Sequence, residues 1–321
     1  MTIELANRRV VTKPWGVADP GRWLKVAHPG SLIGEIWFER SVASSQQPSL
    51  LLKLLFSSAP LSIQVHPDDA YARSKGLASG KTEAWYVVDA MPDAVVALGL
   101  DQEMTQAQFR QALQDGSIAG HAAWRVVAAG DAISVPAGTI HAIGAGLVIA
   151  EIQQRSDATY RMFDHGRQRE LHIDDAVAMA VRGPAGVPAS PVSLCDERTL
   201  LASSSYFVFE RIVLPPDTTW RIDAARETWL LVLEGGGNAG SIGLSQGDAI
   251  FAQSDTIDLC VGADGLIALA AYASSSPLLD LSSRSWPAER STQTGHNEEL
   301  PPSTMASSQY ASAFRQSGFL P

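Results

Sequence analysis

The sequence predicts a mostly β protein with a few inserted helices, built as two related barrels. Two observations predict it. Short apolar runs punctuated by Pro, Gly and Ser recur along the chain, as in GEIWFER (34–40) and LLLKLLF (50–56), and such punctuated runs read as strands. The chain also resembles itself. GDAISVPAGTIH (130–141) returns as GDAIFAQSDTID (247–258), and EAWYVVDA (83–90) returns as ETWLLVLEG (227–235). Ordered self-similarity of this kind marks a repeated structural unit.

The elements follow in order. Residues 8–60 read as strands, with KPWG at 13–16. LSIQVHPDDA (61–70) is a strand ending in a Pro-Asp turn, and GKTEAWYVV (80–88) is a Gly-Lys turn into a strand. In MTQAQFRQALQDG (104–116), Met104, Phe109 and Leu113 share a helical stripe, with Thr105 as N-cap and Gly116 as stop signal. Residues 130–161 return to strands and tight turns. ELHIDDAVAMAV (170–181) is a second helix, with Asp174 as its expected cap. The expected division is a first domain at 1–182, a Pro/Gly/Ala/Ser-rich linker at 183–198, a second β domain at 199–281, and a flexible, polar tail at 282–321.

Composition excludes several partners. The 321 residues are 45% hydrophobic and 18% charged, enough for a sizeable core. A net charge of -10 opposes nonspecific nucleic-acid binding and an anionic membrane surface. No run reaches the ~18 apolar residues of a membrane span, and the first residues lack the apolar run of a signal peptide. Cys195 and Cys260 match no CxxC spacing, so a reducing, cytoplasmic setting with free thiols is expected, a single disulfide being the alternative. A monomer is compatible with the sequence.

The chemistry gathers in three segments. In a strand, residues two apart share a face, so Gln64 and His66 point one way and Ile63 and Val65 the other. An amide oxygen and an imidazole on one face make half a metal site; the plainer alternative is a half-buried strand with a hydrogen-bonded His66. Glu83 adds a carboxylate, and PAGTIH (136–141) adds His141 after a Pro-Gly turn. PAGTIH is similar to the P-x-G-x-x-H motif of the cupin barrels. Imidazoles with a carboxylate suit zinc and other first-row divalent metals, and a jelly-roll barrel has a pocket at its mouth where such strands converge. A closed structural zinc site would be richer in cysteine. The predicted fold is therefore two cupin-like jelly-roll barrels, the first carrying the site.

KPWG, IGEIW, LSIQVHPDDAYA, GKTEAWYV, VPAGTIHAIGAGLVIAEIQQRSDATYR and ELHIDDA together resemble the type I mannose-6-phosphate isomerases of the short bacterial form, over roughly residues 10–180. The resemblance implies one zinc per chain and interconversion of mannose 6-phosphate and fructose 6-phosphate, with a phosphorylated hexose as partner. It implies His66, Glu83 and His141 as metal ligands, with Gln64 matching a fourth ligand of the longer members. Arg161 matches an active-site arginine, while Lys81 and Glu151 match polar groups lining the pocket. WFER (37–40) and the tail after Ser282 depart from the pattern.

Aldose–ketose isomerisation moves a proton between adjacent carbons through an enediol, so it needs charge stabilisation and an acid/base group with a pKa near the working pH. Lys81 is expected to be depressed toward that range by the nearby metal charge and by burial, or else to hold phosphate or face solvent. Arg161 suits phosphate or enediolate oxygens. Arg155, Arg167 and Arg169 form either a basic cluster for an anionic substrate or a salt-bridge network. The rivals are an isomerase of another phosphorylated aldose, a non-catalytic metal cupin that binds sugar phosphate, and an iron-dependent oxygenase. The repeat aligns Glu227 with Glu83 but Asp258 with His141, so the second domain is expected to hold no metal.

Overall fold

The inner strands of the first half, such as LLLKLLFS (50–57) and VVALGL (95–100), bury both faces, which is why their sequence is apolar almost without a break. The computed structural model describes residues 2–24, 30–41, 47–186, 190–278 and 281–285, all within a unit spanning 1–286; a second unit, 287–321, lies outside the described residues. The first half runs β1 (Thr2–Leu5), β2 (Asn7–Val17), β3 (Ile33–Glu39), β4 (Leu50–Ser57), β5 (Ile63–Val65), α1 (Asp69–Ser74), β6 (Glu83–Ala90), β7 (Val95–Leu100), α2 (Gln106–Asp115), α3 (Ile118–His121), β8 (Ala122–Val126), β9 (Ala132–Val135), β10 (His141–Ile143), β11 (Leu147–Gln154), β12 (Tyr160–Phe163) and α4 (Ile173–Met179). The second half runs β13 (Val192–Cys195), β14 (Arg198–Ser203), β15 (Val208–Leu214), β16 (Thr219–Ala224), β17 (Thr228–Ala239), β18 (Ile242–Ser245), β19 (Ala249–Gln253), β20 (Asp255–Tyr272) and β21 (Ser282–Ser285). Strand takes 51% of the chain and helix 11%, so the protein is mostly β with few helices, as expected.

Three antiparallel sheets form layers. One has the order β2-β3-β4-β11-β6-β9, the second β12-β5-β10-β7-β8, and a ten-stranded sheet contains the second half with β1 at its end. On the first sheet, Ile36, Phe38, Leu52, Leu54, Ala84 and Ile152 pack against Phe209, Trp229, Leu231 and Phe251 of the ten-stranded sheet. The alternate residues Leu55, Trp85, Val87 and Ile149 pack against Val96, Leu98 and Ile143 of the second sheet. Beyond it, Ile63, Val65 and Ala142 meet Phe109, Leu113 and Val177 of the helices. Each such fully buried side chain contributes ~1.5–3 kcal/mol. The period-2 alternation thus sends Ile63 and Val65 to the helices and Gln64 to the interior shared by the first two sheets.

Thr105 caps α2 in a full capping box with Gln108, and Gly116 ends it at φ 79°. Asp174 does not cap α4: the N-cap is His172, without a side-chain cap bond, and Asp174 sits in the first turn paired with Arg110 at 2.6 Å. Contacts cross the expected divisions. Thr2–Leu5 pairs with β19 of the second half. The expected linker contains β13, and Leu100 N–H donates to Gly183 O at 2.9 Å. The expected tail begins with β21, paired to β16; its remainder, 286–321, lies outside the described residues.

The repeat is real in part. Val87 N–H donates to Asp131 O and Val232 N–H to Asp248 O, both at 2.9 Å, so the two GDAI segments make the same turn against equivalent strands. By that pairing, however, Thr228 lies opposite Ala252 just as Glu83 lies opposite Val135. Glu227 is therefore one residue out of step with Glu83, and a one-residue slip reverses the face. Trp85 faces the interior of the first half, whereas Trp229 faces the contact between the halves.

In the second half, Arg198 Nε and Nη2 donate to Glu210 Oε2 and Oε1 at 2.8 and 2.9 Å, and Tyr272 Oη donates to Glu210 Oε1 at 2.5 Å. Arg198→Met leaves that carboxylate buried and charged, which costs ~3–5 kcal/mol. Urea unfolding is expected to show this loss, with most of it recovered in Arg198→Met/Glu210→Met. A double variant no more stable than the single would contradict the ion-pair account.

Candidate active site

Two turns set the site. In PAGTIH, Thr139 N–H closes onto Pro136 O, Gly138 takes φ 84° as a type II turn requires, and its N–H donates to His66 O at 2.8 Å. In HPDD, Asp68 caps α1, while Asp69 accepts from Gly80 N–H at 2.8 Å and Lys81 N–H donates to Pro67 O. The Gly138 bond ties the backbones of His66 and the PAGTIH turn, and the two made by Gly80 and Lys81 tie the GKTE segment to the His66 turn.

Register does the rest. His141 and Arg161 lie directly opposite Gln64 on either side, and directly opposite residues share a face. Across the facing sheet, Trp37, Lys53, Glu151 and Trp85 form one row, with Glu83 two residues from Trp85 on the same face. Between the two sheets is a cavity of about 380 Å³, lined among others by Gln64, Lys81, Glu83, Glu151 and Arg161.

His66 and His141 are each 1% exposed. His66 Nδ1 donates to Ala158 O at 2.8 Å and His141 Nδ1 to Thr139 O at 2.9 Å, and since carbonyls only accept, the proton of each ring sits on Nδ1. Both Nε2 lone pairs then face Glu83, at 3.3 Å from Oε2 and 3.6 Å from Oε1. The three residues offer ligand atoms all within 4.8 Å of one another, so the donor set fits a divalent cation. Lys81 Nζ donates to His66 Nε2 at 2.8 Å and also to Glu83, which places a positive charge at the point these atoms share. Gln64 turns its amide nitrogen to His141 Nε2 at 3.2 Å and its oxygen to Ser62 Oγ at 2.9 Å. Rotating that amide by half a turn exchanges the two atoms, and the Ser62 hydroxyl can accept as readily as donate.

Burial pulls Lys81 down, but Glu83, Glu151 and Glu35 outweigh it and hold the ammonium above its ordinary pKa, a pull opposite to that of burial and of a bound cation. Burial raises the Glu83 carboxyl, yet Lys81 and the two imidazoles hold it well below the ordinary range. Burial, with Lys81 and His141, lowers His66 to about 4 from 6.5. The unfolded chain therefore takes up a proton near pH 6.5 that the folded one refuses until about 4. His66 stability is complete above 6.5 and is lost as pH falls from 6.5 toward 4. The chelated protein is expected to show a lower urea midpoint at pH 5 than at pH 7, and His66→Asn to flatten that slope. An unchanged slope would contradict the burial of a neutral His66.

Arg161 lines the cavity with Nη1 donating to Glu170 O at 2.8 Å, while its Nε is buried without a hydrogen-bond partner among the described residues. Arg167 and Arg169 both hold Asp164, at 3.1 and 2.5 Å, and Arg155 has Glu39 and Glu227 as its charge partners. The salt-bridge reading thus fits Arg167 and Arg169. Sequence reasoning missed Lys53, Glu35 and Lys13. Lys53 pairs with Glu151 at 3.4 Å and Lys13 with Glu35 at 3.5 Å, both beside the cavity. The signal was a lone lysine inside LLLKLLF, where a buried strand demands a partner for the charge.

No protein-family model matches the chain. It is 41% identical over 167 residues to the mannose-6-phosphate isomerase of Streptococcus mutans, covering 49% of this chain and 52% of that protein. It is 42% identical over 135 residues to a probable mannose-6-phosphate isomerase of Bacillus subtilis, covering 40% and 42%. The chain spans about half the length of the curated relatives it matches. Its fold matches the mannose 6-phosphate isomerase structure from Bacillus subtilis with a TM-score of 0.73 at 24% identity, covering 84% of this chain and 99% of that one. A putative mannosephosphate isomerase from Archaeoglobus fulgidus gives 0.68 at 18%, covering 85% and 97%. No helix among the described residues is long and apolar enough to cross a membrane.

Proposed function

We propose that this chain is a metal-dependent aldose–ketose isomerase that interconverts mannose 6-phosphate and fructose 6-phosphate through an enediol. The observation that carries the reading is the convergence of the His66, Glu83 and His141 donor atoms beside a cavity that also receives Arg161, Lys81 and Glu151. The names of the relatives support it. His66, Glu83 and His141 would hold one zinc per chain, with the Gln64 amide oxygen as a fourth donor once its amide is turned. A divalent cation there supplies positive charge for oxygens that become anionic during the reaction.

The chain's own residues do the remainder. Lys81, held protonated, donates a hydrogen bond or a proton to a substrate oxygen rather than removing a proton from carbon. Glu151 keeps its position through Trp85 Nε1 at 3.1 Å and Lys53, and accepts from substrate hydroxyls. Arg161, with no carboxylate salt-bridge partner among the described residues, offers its planar fork to phosphate or enediolate oxygens. The setting would be cytoplasmic, in keeping with free Cys195 and Cys260. The first half is read as a catalytic cupin-like barrel and the second as a barrel that walls it.

A coupled assay for fructose 6-phosphate formed from mannose 6-phosphate, with and without a chelator, tests the proposal. Activity abolished by chelation and restored best by zinc is expected. Turnover of a different aldose phosphate alone would move the reading to that substrate. Binding without turnover of any would make the protein a sugar-phosphate binder.

A further inference from the structure

We propose that Gln153 is a positioning residue that sets the ring orientation of His66 through the loop between β11 and β12. Gln153 is 0% exposed and lies directly opposite Glu83, so its side chain is on the cavity face of the sheet. Its Nε2 donates to two carbonyls, Gln154 O at 2.9 Å and Ser156 O at 2.5 Å. Two carbonyl acceptors fix the amide, since turning it would set Oε1 against both oxygens. That fixed orientation leaves Gln153 Oε1 buried with no hydrogen-bond partner among the described residues. A buried orphan acceptor is costly, so an amide here serves something other than packing.

What it holds is the segment that carries the His66 acceptor. Ser156 Oγ accepts from Ala158 N–H at 3.3 Å, and Ala158 O accepts from His66 Nδ1 at 2.8 Å. The Ala158 carbonyl aims the ring, and together with the Lys81 ammonium on Nε2 it keeps the proton on Nδ1 and the Nε2 lone pair toward Glu83. The two histidines differ in this respect. His141 is locked by Thr139 O within its own PAGTIH turn. The His66 acceptor sits in a loop outside any strand or helix, and that loop takes its anchor from Gln153. Carbonyl partners of metal-binding histidines commonly govern affinity as strongly as this.

The metal arm of the test rests on the proposed function; the spectroscopic arm does not. Imidazole nitrogen-15 spectra of the chelated full-length protein are expected to show the Nδ1–H tautomer at both histidines. In Gln153→Met, the His66 Nδ1–H proton should shift upfield and exchange faster with solvent as its bond to Ala158 O loosens, while that of His141 stays unchanged. Competition of zinc against a chelator should show a ~10–100-fold weaker Kd in that variant. Ser156→Ala, which keeps the Ser156 carbonyl, should show a smaller shift confined to His66. If Gln153→Met fails to fold, Gln153→Asn, which keeps the amide but draws it back from Ser156 O, decides. A wild-type His66 spectrum and zinc Kd in a folded Gln153→Met or Gln153→Asn would overturn the proposal. A His66 shift in a protein that binds no zinc would reject the metal reading and retain the role of Gln153.

Discussion

Replacing His141 by alanine is expected to remove the metal and reduce isomerisation to background. Three donor groups converge, and His141 Nε2 is one of two imidazole lone pairs facing Glu83. Without it a neutral imidazole, one carboxylate and the weak amide oxygen of Gln64 remain, a set that holds zinc poorly. Charge stabilisation by a bound cation is worth several kcal/mol, so turnover should fall on the order of 10³-fold or more. His141 is also buried and accepts from Gln64, so the alanine variant loses packing as well. Glu83→Gln separates the effects, because it keeps the shape and removes the charge. Both variants should lose metal by elemental analysis, and the glutamine variant should keep the wild-type circular dichroism spectrum. Retained zinc in both would show that the metal is held elsewhere.

Arg161→Lys should lower turnover by about 10²-fold or more with zinc still bound. Arg161 faces the cavity from β12, opposite Gln64, and its guanidinium is anchored at one nitrogen by Glu170 O. The remaining donors form a planar fork that a lysine ammonium cannot reproduce, although the charge is retained. Arg161 is not a ligand in the donor set, so metal content should not move. A variant with wild-type kcat and KM would make Arg161 a structural residue that supports the 161–172 turn.

Alternation made the first half legible. Gln64, His66 and Glu83 declare their face by period 2, and PAGTIH announces a turn whose last residue enters a strand. What failed was the inference about register. Glu227 and Trp229 copy Glu83 and Trp85 in spacing, but one residue of slip turns them to the opposite face, where Glu227 accepts from Ser49 and Leu50 N–H at 2.6 and 2.9 Å. Pairing partners are a property of the sheet, so spacing along one strand could not reveal the slip. The carboxylates that oppose a depression of Lys81 were hidden for a related reason. Glu151 and Glu35 are distant in sequence, and only the sheet brings their charge to its side. The pairing of β1, at the start of the chain, with a sheet made by its end has no local signal either.

The most direct test of the account counts metal and activity in the same samples. Zinc per chain and the rate of mannose 6-phosphate isomerisation would be measured for the wild type, Glu227→Ala, and Glu83→Gln combined with His66→Ala. One zinc in the wild type and in Glu227→Ala, with none and no activity in the combined variant, is the predicted result. Full activity in a zinc-free preparation, or loss of zinc on changing Glu227, would contradict it.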